Sequence, residues 1–117
     1  MRASDSTTTL DWEQLRDVTL GDADLIREIL ETLIEDSSRQ IRLLETAIRQ
    51  RDPETTMRLA HYSKGACANV GARAAAAALL EIERRAARSE FGECGASLAV
   101  LAREVDRLRA EIAGAPV

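Results

Sequence analysis

Leu25, Ile26, Ile29, Leu30 and Leu33 recur at intervals of three and four, and Ile41, Leu44 and Ile48 resume the same rhythm further on. That period puts all eight on one face of a helix running from Asp22 to about Gln50. Ser37 and Ser38 interrupt the apolar stripe, so a bend or break is expected there. A second seam, Leu98, Leu101, Val105, Leu108 and Ile112, predicts a closing helix that begins after "FGECG". Between the two, "ARAAAAALLEIERRAARSE" consists of strong helix formers. Sustained alternation with period two is absent, and Val, Ile and Thr never cluster as strands require.

Polar punctuation divides these stripes into elements. Thr9 or Asp11 can cap a short leading helix through "DWEQLRDV", which Gly21 stops. In "RDPE", Asp52 can accept from free amides of the next helix, and Pro53 at its first position forfeits an amide that had no intrahelical partner. That helix ends near Asn69 to Gly71, where glycine tolerates a left-handed stop. Four substantial helices with short connections predict an all-α fold, an antiparallel four-helix bundle with a short additional N-terminal helix. Residues 1–8 read as a flexible tail, 9–113 as the bundle and 114–117 as a C-terminal tail.

Composition narrows what such a bundle does. At 117 residues the chain suits one domain with a modest core. With 45% hydrophobic and 31% charged residues it reads as a globular chain, not a disordered one. Aromatics make up only 3%, too little ring area for a base-stacking surface or a large cofactor pocket. A net charge of −4 argues against nucleic acid as a partner. No apolar run is long enough to span a bilayer, and "MRASDSTTT" lacks the apolar region of a secretory signal. Cys67 and Cys94 form no metal-binding spacing and read as reduced thiols, so a cytoplasmic monomer without membrane contact is expected.

The sole histidine, His61, lies in "AHYSKGACANVGA", among unusually small residues. At about 100° per residue, Lys64, Gly65 and Ala68 fall within about 60° of it, with Met57 on the same side. Leu59, Ser63, Ala66, Cys67 and Val70 fall near the opposite side and face the core. His61 and Cys67 therefore point apart, which makes no metal site. Gly65 in mid-helix costs about 1 kcal/mol against alanine, with no packing need on an exposed face. Its missing side chain leaves room beside the ring, and Lys64 at i+3 is close enough to reach a group bound there. An exposed imidazole is largely neutral at pH 7 and is a competent nitrogen nucleophile. The constellation suits an anion carried on a histidine. Arg84, Arg85 and Arg88 read as a solvated basic face.

These same residues resemble the phosphorylation motif of histidine-containing phosphotransfer (HPt) domains: Ala-His, two residues, Lys-Gly, then small residues to Asn-x-Gly-Ala. The similarity extends over roughly Leu10 to Ile112, with "LLEIE" at the usual distance downstream. It implies that His61 accepts a phosphoryl group from a receiver-domain aspartate and passes it to another receiver. Lys64 would hold the phosphoryl oxygens, Gly65 would give clearance, and Glu83 would contact the other ring nitrogen. Met57 and Ala68 would help form a docking patch for receiver domains of response regulators or of a hybrid histidine kinase. No cofactor would be bound; the Mg2+ would sit in the partner receiver, and the chain would have no kinase activity of its own. The alternative is a receiver-binding module that carries no phosphate. Two positions depart from the family pattern: Ser63 and Ala75 replace residues that are commonly large and apolar. Both thin the core, and the Ser63 hydroxyl is expected to bond a preceding carbonyl of its own helix.

Overall fold

The computed structural model describes residues 10–114; both tails expected from the sequence lie outside that range, apart from Gly114. Five helices follow one another: α1 (Trp12–Thr19), α2 (Ala23–Arg49), α3 (Pro53–Asn69), α4 (Arg73–Ala87) and α5 (Phe91–Ala113). Each connection is three residues long, and such short loops between the four long helices make them antiparallel neighbours. Each successive pair packs together, and α2 also packs on α5, which closes α2 to α5 into a four-helix bundle. The protein is all-α among the described residues, and none of their helices is long and apolar enough to cross a membrane.

The caps explain where the helices begin. The side chains of Asp11, Asp22 and Asp52 accept from amides of the first turns of α1, α2 and α3, and Pro53 opens α3. The stops use left-handed residues: Gly21 and Gly71, but also Leu20, Arg51 and Ser89. Helix α1 lies across one end of the bundle. Gln14 Nε2 donates to the carbonyls of Ala68 (3.2 Å) and Asn69 (3.0 Å), satisfying acceptors that α3 leaves open at its C-terminus. Trp12 Nε1 donates to Glu111 near the end of α5.

The main core gathers Leu15 of α1, Leu30 and Leu44 of α2, Leu79 and Ile82 of α4, and Leu108 of α5. Ala60 and Cys67 of α3 face the same interior, with Ala75 and Ala78 of α4. These small side chains let α3 and α4 approach closely. A smaller cluster of Ala86, Phe91 and Cys94 has Met57 packed against it.

Three expectations are corrected. Helix α2 runs without a break through Ser37 and Ser38. Ser37 is turned inward against Cys67, and Ser38 accepts from Arg109 of α5, so both serines are used by packing instead of ending the helix. Helix α5 starts at Phe91, not after "FGECG". Buried Phe91 and Cys94 anchor that first turn, and their burial outweighs the low helix propensity of Gly92 and Gly95. The Ser63 hydroxyl is buried without a hydrogen-bond partner, as is Gln40 Oε1. Burial also pushes the Cys67 thiol up to about 11, which leaves it protonated and inert near neutral pH.

Candidate functional site

Helix α3 turns Ala60, Ser63 and Cys67 inward and presents His61 outward, its side chain 69% exposed. The neighbouring α4 brings Glu83 to its side. His61 Nδ1 lies 3.1 Å from Glu83 Oε2, and Lys64 Nζ donates to Glu83 Oε1 at 2.9 Å. One carboxylate thus holds both the ring and the ammonium.

The charge state of Glu83 follows from its neighbours. Burial opposes ionisation, but the Lys64 hydrogen bond and charge, followed by the His61 contact, outweigh it and hold the carboxyl below its ordinary 4.5. An ionised carboxylate has no hydrogen to give, so Nδ1 must carry the proton and donate it. The lone pair is then on Nε2, the nitrogen for which the described residues provide no partner. A pair of this kind contributes under about 1 kcal/mol. Because the folded-state pKa is depressed, that contribution is complete above about pH 4.5 and fades as pH falls through the lower folded value. Glu83→Gln should therefore flatten the acid limb of a stability-versus-pH curve measured by urea unfolding. Superimposable acid limbs for the two proteins would contradict the assignment.

Gly65 is exposed, and a Cβ built on it would meet nothing within 4 Å. Its lack of a side chain answers no packing demand inside the chain, so the space opens outward beside the ring. Ala68 is exposed one turn further along. Met57 is half-buried against Ala86, Phe91 and Cys94, so packing holds much of its side chain and part of it stays exposed. Two neighbours escaped the sequence reading. Tyr62, 59% exposed, stands at the rim of a groove between α2 and α3 lined by Ile29, Thr32 and Ala66. Arg58 lies exposed one turn before His61. The helical angle that selected Lys64 would have selected Arg58 as well. Among the described residues no group of three or more His, Cys, Asp or Glu side chains is placed to hold a metal ion.

Fold and site together define a helical bundle with an exposed histidine whose Nδ1 meets a carboxylate, and a lysine ammonium bonded to that same carboxylate. The Hpt domain model matches residues 28–111, and the chain belongs to that family, whose members act as phosphotransfer intermediates with receiver domains in phosphorelays. Its structure resembles that of histidine-containing phosphotransfer protein B from Pseudomonas aeruginosa PAO1, at 28% identity and a TM-score of 0.83, covering 90% of this chain and 91% of that one. A rice protein described as a histidine-containing phosphotransfer protein is 22% identical, with a TM-score of 0.82 over 92% of this chain and 79% of that one. The HPt domain of a Shewanella sensor hybrid histidine kinase is 21% identical, with a TM-score of 0.71 over 93% and 97% of the two chains. No curated protein matches the chain.

Proposed function

We propose that His61 is the residue that carries the phosphoryl group, accepting it on Nε2 from a receiver-domain aspartyl phosphate and returning it to the aspartate of another receiver. The observation that carries this reading is the exposed ring whose Nδ1–H is committed to Glu83. The Nε2 lone pair attacks phosphorus; an N–P bond forms as the P–O bond to the aspartate breaks, and the carboxylate leaves with the electron pair. The ring, still protonated on Nδ1, becomes positively charged, and the Glu83 carboxylate lies where that charge develops. Lys64, one turn away, exchanges its bond to Glu83 for one to a phosphoryl oxygen. The residues of this chain thus position a nucleophile and balance charge. A divalent metal held by the receiver would supply charge neutralisation from the other side of the phosphoryl group. The chain acts as a cytoplasmic monomer without kinase activity of its own.

Incubation with a receiver phosphorylated on its aspartate tests this directly. Label should move to this chain in an acid-labile, base-stable form, and a chain that stays unlabelled with every receiver of its cell would defeat the proposal. Clearance at Gly65 has its own test. Gly65→Leu should keep the fold, gain roughly 0.5–1 kcal/mol of helix stability, and slow transfer at least about tenfold by obstructing the docked receiver. Transfer at the unaltered rate would remove that role from Gly65.

A further inference from the structure

The two groups beside His61 that could attract an anion are not equivalent. Lys64 is already bonded to Glu83, and the pair carries no net charge, so it presents a weak field to anything approaching from solution. Arg58 lies three residues before His61 on the same stripe of α3, about 60° round the helix. Among the described residues its one hydrogen bond is long, Nη2 to Thr55 Oγ1 at 3.5 Å. Arg39, Arg73, Arg85, Arg107 and Arg109 each rest on a carboxylate. No carboxylate among the described residues is within ion-pair distance of Arg58. Asp52, at the start of the same helix, senses its charge as a minor influence, after its hydrogen bonds with Thr55. The guanidinium is thus charged, exposed and uncommitted, one turn from the nucleophile.

We infer that Arg58 is the positioning residue that draws in the phosphorylated receiver, pairing with the anionic rim of its aspartyl phosphate site before transfer begins. This rests on His61 being the acceptor and divides the work between two cations. Arg58 acts on encounter, and Lys64 acts once the phosphoryl group reaches the ring. A planar guanidinium can bind carboxylate or phosphoryl oxygens in bidentate fashion without first breaking an internal bond. Pairing of exposed charges of this sort affects association and its salt dependence more than the chemical step.

The test uses the full chain and a receiver, charged with acetyl phosphate, that labels the unaltered protein. Transfer rate is followed against receiver concentration at two ionic strengths. Arg58→Ala should raise the half-saturating receiver concentration about tenfold, change the maximal rate less than about twofold, and lose much of the salt dependence. Arg58→Lys should recover part of the loss, which a purely structural role would not allow. An unchanged half-saturating concentration, or a loss confined to the maximal rate, would overturn the inference while leaving His61 in place. Failure of every charged receiver to label the unaltered chain, so that no such receiver is found, would bring down the proposed function and this inference together.

Discussion

His61→Gln is expected to abolish phosphoryl uptake from a charged receiver while leaving the bundle folded. The reason is a division between two faces of α3. The side chain at position 61 is 69% exposed and reaches the rest of the chain through the Glu83 contact. Ala60, Ser63 and Cys67 on the inward face are untouched by the change. Removing an exposed side chain of this sort shifts stability by about 0.5 kcal/mol or less. Glutamine keeps a donor within reach of Glu83 but has no nitrogen lone pair able to attack phosphorus. The measurement is label transfer alongside a urea unfolding curve. Uptake persisting in a folded His61→Gln chain would place the acceptor elsewhere.

The second large effect concerns the fold. Gly71→Ala should destabilise the chain by about 2–4 kcal/mol, enough to lower the unfolding temperature by on the order of 10 °C. Gly71 has φ of +78°, and a Cβ there would come within 2.5 Å of Asp11 Cβ and 3.0 Å of Asp11 N. The approach is close because the Asp11 amide donates to the Gly71 carbonyl at 3.0 Å. Asp11 also caps α1 and pairs with Arg73 at the start of α4. A methyl group at position 71 must therefore lift the start of α1 away from the α3–α4 turn. Leu15, fully buried at the end of the bundle, loses packing as α1 moves. Thermal and urea unfolding would measure the cost; a loss under about 1 kcal/mol would show that the turn relaxes without disturbing α1.

Much of this was legible in the sequence because it is local. Asp22, Asp52 and Pro53 announce helix starts by satisfying or forgoing free amides, and Gly21 and Gly71 announce stops by their freedom at positive φ. Helical arithmetic alone put His61, Lys64 and Gly65 on one outward stripe. What the sequence could not supply is tertiary. The start of α5 depends on the burial of Phe91 and Cys94, which a propensity scale does not see. Ser37 and Ser38 look like an interruption until Cys67 and Arg109 are found opposite them. Arg51 and Ser89 end helices in the left-handed region without glycine's help, so their turns carry no composition signal. Glu83 entered through family resemblance and not through spacing. That Lys64 rests on Glu83, and leaves the open ring nitrogen to solvent, is a relation between α3 and α4 that only coordinates reveal. Arg58 passed unremarked because a single arginine on a helix is ordinarily just solvated surface.

Transfer through His61 depends on which ring nitrogen faces the partner. Nuclear magnetic resonance of the phosphorylated, 15N-labelled chain reads this from phosphorus–nitrogen coupling and the ring nitrogen shifts. The expected spectrum has phosphorus bonded to Nε2 of His61, with Nδ1 still protonated and hydrogen-bonded to Glu83. Phosphorus on Nδ1, or a modified residue other than His61, would contradict the account.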